Sequence, residues 1–192
     1  MKITERSGVA EVAASVGDAL GKAGIRAVLT GGACASIYTA GLYQSSDLDF
    51  VIQGGARQVE LELAMASVGF QRQGDRYVHP LARFYVEFPP GPLAIGADYG
   101  IEPIELPLRR GKIRTLSATD SCRDRLAAFL HWKDPQNLRT AVTIALRNSV
   151  DLEAIRSWSV GEGAKEGFER FLQELERVRI RKASRGRASD VR

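Results

Sequence analysis

Two acidic residues one position apart, Asp47 and Asp49, lie within an apolar segment that ends at Ile52. Side chains alternate across a β-strand, so the two carboxylates point to the same face. They repel one another unless a cation lies between them. A hard divalent ion with oxygen ligands is the natural occupant of such a pair. The spacing therefore predicts a divalent metal site on this strand.

A glycine pair, Gly31-Gly32, precedes the acidic strand and follows the short apolar stretch at residues 26–30. Glycine lets the backbone approach a ligand closely, and the N-terminus of a following helix offers unpaired N–H groups to phosphate. Ser36, Ser45 and Ser46 are further phosphate donors by type, although serines in a helix and its loop more often pack or cap. We assign Gly31, Gly32 and Ser46 as candidate nucleotide-binding residues.

A third carboxylate is expected from a neighbouring strand, and Glu87 lies among the aromatic and β-branched residues of segment 83–88. An isolated acid in such a strand is costly to bury unless it has a charged partner. Asp47, Asp49 and Glu87 together could hold two divalent ions, one activating a hydroxyl and the other neutralising a pyrophosphate. The pattern indicates metal-assisted phosphoryl or nucleotidyl transfer.

The elements that must position these residues follow from periodicity and turn signals. In the first part of the chain we predict helices at 9–23, 33–40 and 57–67, and strands at 26–30, 46–52, 70–73, 76–79, 83–88, 104–106 and 112–115. In the second part we predict four helices at 120–132, 135–147, 151–158 and 162–182, with Trp132 and Trp158 as core anchors. The fold class is therefore α/β (α+β), a mixed sheet flanked by helices and followed by a helical bundle.

We divide the chain into an α/β domain at residues 1–116, a helical extension at 117–182 and a basic disordered tail at 183–192. The net charge of +4 is uneven, because residues 177–192 carry seven basic residues and one acid. A tail of this kind could contact nucleic acid, and a solvated terminus is the simpler interpretation.

The composition, 44% hydrophobic and 26% charged, is typical of a soluble globular protein. No apolar run approaches the roughly 20 residues of a membrane helix, and residues 1–6 lack the apolar core of a signal peptide. We therefore expect a cytoplasmic protein without a membrane partner. Cys34 and Cys122 show no metal-ligand spacing and are interpreted as reduced structural thiols.

The strings Leu29-Thr30-Gly31-Gly32 and Asp47-Leu48-Asp49-Phe50, with the strand acid Glu87, resemble the polymerase-β-type nucleotidyltransferase superfamily. The resemblance covers about residues 25–90 and is closest to the small prokaryotic branch of minimal and toxin–antitoxin nucleotidyltransferases. It implies a nucleotidyltransferase-type sheet, NTP as substrate, and Mg²⁺ (or Mn²⁺) held by the two aspartates and Glu87. It also implies phosphate binding by the glycines, and transfer of NMP to a hydroxyl of a protein, a tRNA or a small molecule.

Two positions depart from the pattern of the superfamily. Gly32 stands where many active members have serine, and Glu87 stands where aspartate is more usual. A catalytically inactive binding or regulatory subunit therefore stays open as an alternative. A phosphatase-like Asp-x-Asp site is disfavoured, because its nucleophile would end a strand in the first elements of the chain. A homodimer is expected only because symmetric dimers are the commonest soluble assembly.

Overall fold

The computed structural model describes residues 2–189, with side chains described as far as Arg181 and at Ser184. The chain divides into two compact units, Met1–Ser117 and Ala118–Arg192, each with its own internal contacts. Across residues 2–189, no helix combines the length and the apolar content that crossing a membrane requires.

The first unit is a seven-stranded mixed sheet with three helices. Its strands, in chain order, are β1 (Ala27–Thr30), β2 (Asp47–Ile52), β3 (Gln71–Gln73), β4 (Arg76–Val78), β5 (Tyr85–Glu87), β6 (Ile104–Pro107) and β7 (Lys112–Thr115), and its helices are α1 (Val9–Lys22), α2 (Gly31–Tyr38) and α3 (Gln58–Ser67). The strand order is β3-β4-β5-β2-β1-β7-β6. The β2–β5 and β1–β7 pairs are parallel and the other neighbours are antiparallel, which confirms the predicted mixed sheet.

Helix α1 packs against the sheet through an apolar face with helical spacing. Val12, Val16 and Leu20 are completely buried on that face. Gly17 lies directly over the side chain of Ile113 in β7, and a Cβ at this position would be 2.5 Å from the isoleucine Cδ1. The missing side chain therefore sets how closely α1 approaches the sheet.

Strand β1 passes directly into α2 without an intervening loop. Gly31, the first residue of the helix, has a left-handed φ of +63°, a conformation that glycine adopts without steric cost. The buried residues that follow are small, namely Gly32, Ala33, Cys34, Ala35 and Ser36. This small-residue surface lets α2 lie close to the central strands that carry the acidic residues.

The second unit consists of four helices, α4 (Ala118–Trp132), α5 (Pro135–Arg147), α6 (Leu152–Gly161) and α7 (Lys165–Ser189). Two aspartates cap them: the Asp134 carboxylate accepts the N–H of Gln136 at 2.9 Å, and the Asp151 carboxylate accepts two N–H groups of the first turn of α6. The core contains the fully buried Ile144 and Phe171. The predicted helical bundle is confirmed.

The structure differs from the sequence-based expectations at two places in this unit. Trp158 is buried as predicted, but Trp132 is 73% exposed, because it lies in the last turn of α4 next to solvent. Helix α7 continues to Ser189, so residues 183–189 are helical where a disordered tail is predicted. This segment carries two arginines and two alanines, which favour a helix, but also a glycine and two serines, so it continues α7 without a strong propensity of its own. Residues 190–192 lie outside the described residues.

Candidate active site

Three carboxylates meet on one face of the sheet in the first unit. Leu48 and Phe50 are fully buried on one side of β2, so Asp47 and Asp49 emerge on the other side, each half-buried. In the parallel β2–β5 pair, Asp49 lies opposite Glu87. The two residues therefore share a face, and ligand atoms of all three carboxylates lie within 4.8 Å of one another.

This cluster fits a hard divalent cation. Such ions take oxygen ligands at roughly 2.0–2.6 Å, so the ligands of one ion lie within about 5 Å of each other. Three carboxylate oxygens within 4.8 Å satisfy that requirement and supply the negative charge that Mg²⁺ or Mn²⁺ prefers. The candidate metal ligands identified from the sequence are thus brought together by the register of two strands.

The glycine turn lies directly against the acidic strand. Thr30 is paired with Asp49 in the β1–β2 ladder, and a Cβ added to Gly31 would lie 2.5 Å from the Oδ2 atom of Asp49. Thr30 is the N-cap residue of α2, but its hydroxyl donates to the carbonyl oxygen of Asp49 at 3.4 Å instead of capping the helix. Thr30 therefore does not cap the first turn of α2, which begins beside the Asp49 carboxylate.

The loop between α2 and β2 is tied to the helix by two buried hydroxyls. The Oγ atom of Ser36 accepts the backbone N–H of Ser45 at 3.1 Å, and the Oγ1 atom of Thr39 accepts the backbone N–H of Tyr43 at 3.2 Å. The Ser45 hydroxyl then donates to the Oδ1 atom of Asp47 at 2.5 Å. Ser36 thus packs as expected, whereas Ser45 reaches the acidic cluster.

The two remaining candidate nucleotide-binding residues flank this arrangement. Ser46 is exposed immediately before Asp47, and its carbonyl oxygen accepts the N–H of Tyr85 at 3.3 Å, which aligns β5 with β2. Gly32 is buried as the second residue of α2. From the sequence, Ser45 is expected to pack or cap rather than to reach the carboxylates. Its bond to Asp47 depends on the path of the loop, which residue spacing does not encode.

His79 has a structural environment and lies outside the carboxylate cluster. Its Nδ1 atom accepts the N–H groups of Leu81 and Ala82 at 3.0 and 3.1 Å, and its ring lies 5.2 Å from the ring of Phe70. Burial lowers the pKa of His79 below its usual value, since it disfavours the charged form. This histidine holds a turn in its neutral state.

A cavity of about 620 Å³ lies at the α2–β2 loop, and Ser45 and Ser46, which precede Asp47 in the chain, are among its lining residues. Its lining combines apolar and aromatic side chains with a few polar groups, among them Val9, Ile37, Tyr43, Ser46, Arg83 and Phe84. Binding sites for small ligands commonly have this composition. The cavity lies in the same unit as the candidate metal ligands and reaches the loop that carries Ser45.

Solved structures with similarity to this chain include the following three. An antigenic nucleotidyltransferase-like protein from Paracoccidioides brasiliensis is 13% identical, with a TM-score of 0.58, over 92% of this chain and 90% of that chain. A solution structure of the antibiotic-resistance factor ANT(2'')-Ia is 14% identical, with a TM-score of 0.44, over 93% of this chain and 95% of that chain. A crystal structure of ANT(2'')-Ia in complex with adenylyl-2''-tobramycin is 16% identical, with a TM-score of 0.49, over 84% of this chain and 96% of that chain. No family model and no curated protein matches the sequence. The chain therefore has a nucleotidyltransferase-like fold.

Proposed function

We propose that this protein is a metal-dependent nucleotidyltransferase that transfers NMP from an NTP to a hydroxyl group of an acceptor. The observation that carries the proposal is the cluster of three carboxylates within 4.8 Å, next to the glycine turn, on a nucleotidyltransferase-like fold. The position of this cluster against the start of helix α2 favours a phosphate-bearing ligand.

The residues have separate roles in this proposal. Asp47, Asp49 and Glu87 hold Mg²⁺ or Mn²⁺, which when bound neutralises the triphosphate and makes a hydroxyl easier to deprotonate. Gly31 and Gly32 present backbone N–H groups to the phosphates, and the glycine at position 31 lets Asp49 lie against the turn. Ser46, exposed beside Asp47, is a further phosphate donor.

Positioning and electrostatics supply the catalysis. The acceptor oxygen bonds to the α-phosphorus while the bond from that phosphorus to the bridging oxygen breaks. The acceptor hydroxyl gives its proton to solvent water, and pyrophosphate departs with the electron pair. The chain holds the triphosphate between the helix start and the carboxylates, which fixes the line of attack.

The acceptor is a protein side chain, a tRNA end or a small molecule such as an aminoglycoside, and the cavity beside Tyr43 and Phe84 is where its hydroxyl would approach. The setting we propose is the cytoplasm, in a minimal or toxin–antitoxin-like system in which the enzyme modifies a partner.

An inactive nucleotidyltransferase-fold binding or regulatory subunit is the second candidate. The observation that favours it is Gly32, which lacks a side-chain hydroxyl and whose Cβ direction is filled by neighbouring hydroxyl groups. Such a subunit would leave NTP intact and bind divalent metal weakly.

The test is transfer from α-labelled NTPs, with Mg²⁺ or Mn²⁺, to cell extract, purified tRNA or an aminoglycoside. Asp49→Ala removes a member of the cluster, and Asp18→Ala is the matched control, because Asp18 is an exposed acid of α1 that pairs with Lys22. Label transfer by the wild type and Asp18→Ala, but not by Asp49→Ala, supports the enzyme. Absence of transfer, together with no metal-dependent NTP binding by calorimetry, would leave the binding subunit.

A further inference from the structure

We infer that Ser45 supplies a phosphate-binding hydroxyl of this site, from the position that a side chain on Gly32 would otherwise take. The inference rests on the proposed function and deepens it by naming a residue that anchors the polyphosphate. Three observations carry it: the space around Gly32, the support of the loop, and the bond from Ser45 to Asp47.

Two hydroxyl groups from the α2–β2 loop fill the space beside Gly32. A Cβ built on Gly32 would collide with the Oγ atom of Ser45 and would lie 3.2 Å from the hydroxyl oxygen of Tyr43. Gly32 is the second residue of α2, whose first-turn N–H groups have no partner within the helix. The hydroxyl of Ser45 therefore lies beside the same helix start that is proposed to receive phosphate.

The loop is built to hold these hydroxyls in place. Ser36 and Thr39 are 2% and 0% exposed, and their side-chain oxygens accept the backbone N–H groups of Ser45 and Tyr43. A loop with no other role could bond these N–H groups to water. Anchoring them to buried side chains removes conformational freedom from the loop before any ligand binds, which lowers the entropic cost of binding.

Ser45 also links the phosphate position to the metal ligands. Its hydroxyl donates to the Oδ1 atom of Asp47 at 2.5 Å. A serine hydroxyl has one hydrogen and rotates freely to suit its acceptors. Once a cation takes up the charge of Asp47, an anionic phosphate oxygen at the helix start becomes the stronger acceptor. Ser45 is thus a phosphate-binding residue and not a metal ligand.

The experiment measures binding to the full chain by calorimetry, using Mn²⁺ alone, Mn²⁺ with inorganic tripolyphosphate, and Mn²⁺ with a non-hydrolysable ATP analogue. Ser45→Ala should bind both polyphosphates about tenfold more weakly, the effect of losing one hydrogen bond to a charged group. Its affinity for Mn²⁺ alone should stay within about twofold of the wild type. Ser45→Thr, which keeps the hydroxyl, should resemble the wild type.

A rescue variant separates a lost phosphate contact from a damaged loop. Gly32→Ser combined with Ser45→Gly moves the hydroxyl across the same space and should recover most of the polyphosphate affinity. Gly32→Ser alone crowds Ser45 and should bind polyphosphate more weakly than the wild type.

Four results would overturn the inference, and they are distinguishable. Equal polyphosphate affinity of the wild type and Ser45→Ala would show that Ser45 does not touch phosphate. A loss of affinity for Mn²⁺ alone in Ser45→Ala that is as large as its loss for polyphosphate would reduce Ser45 to support of Asp47. A Gly32→Ser/Ser45→Gly variant that folds but does not recover polyphosphate affinity would reduce Ser45 to support of the loop. A wild type that binds neither Mn²⁺ nor tripolyphosphate would refute the proposed function itself, and this inference with it.

Discussion

Replacing Gly31 by alanine should damage metal binding more than it damages the fold. Gly31 has φ +63°, where a Cβ costs about 1 kcal/mol, and that Cβ would lie 2.5 Å from the Oδ2 atom of Asp49. Gly24 is a matched control, since its φ is +73° and, beyond its two chain neighbours, no heavy atom of the described residues lies within 4 Å of its Cβ position. Both variants should lose about 1 kcal/mol of unfolding free energy without metal.

The two variants should differ once metal is added. A ligand at about 100 times its Kd stabilises the native state by about 2.7 kcal/mol, whereas a tenfold weaker site gains only about 1.4 kcal/mol. Because the new Cβ of Gly31→Ala would displace the Asp49 carboxylate from its present position, we expect at least this tenfold loss. Gly24→Ala should keep the full wild-type gain. The assay is urea unfolding of each protein with and without Mn²⁺ at one fixed concentration.

Two results would refute this reasoning. Equal metal-linked stabilisation in Gly31→Ala and Gly24→Ala would show that the position of Asp49 does not govern metal binding. A wild type that gains no stability from Mn²⁺ at millimolar concentration would remove the metal site from the account altogether.

Three further predictions concern the remainder of the chain. Trp158→Ala should cost about 3–5 kcal/mol of unfolding free energy, because Trp158 is buried, whereas Trp132→Ala should stay within about 0.5 kcal/mol by the same urea titration. Burial lowers the pKa of His79, so its contribution to stability is present above about pH 6.5 and is lost as the pH falls through the folded-state pKa. His79→Asn keeps an acceptor oxygen but does not titrate. Between about pH 7.5 and 5.5 it should therefore lose less unfolding free energy than the wild type. Cys34 and Cys122 are both buried, and burial raises the pKa of the Cys122 thiol. An aromatic disulfide reagent should therefore react with both thiols only after the protein unfolds. Rapid reaction in native buffer would contradict this prediction.

The sequence was sufficient to predict the mixed sheet and the acidic face, because both depend on local patterns. Alternation within residues 47–52 places Asp47 and Asp49 together, and the glycine pair marks the change from strand to helix. The carboxylate of Glu87 joins them through a parallel pairing that no local pattern encodes. Glu87 could be proposed as the third metal ligand only because it is an acid in a strand-like segment.

Other features depend on distant contacts and could not be read from spacing. Trp132 has the residue type of a core anchor, but the last turn of α4 leaves it exposed. The hydroxyl of Ser45 reaches Asp47 because Ser36 and Thr39 fix the intervening loop, and neither bond has a sequence signature. Residues 183–189 are small or polar, with two arginines, which suggests a solvated tail, yet the segment continues α7.

The central claim is that the three carboxylates support transfer of a nucleotide and not of a phosphate. The most direct measurement compares NTP labelled at the α-phosphorus with NTP labelled at the γ-phosphorus, using purified protein, Mn²⁺ and the acceptor found in the extract assay. The account predicts α-label in the acceptor, γ-label released as pyrophosphate, and loss of both in Glu87→Gln. Appearance of γ-label in the acceptor, or unchanged transfer by Glu87→Gln, would contradict it.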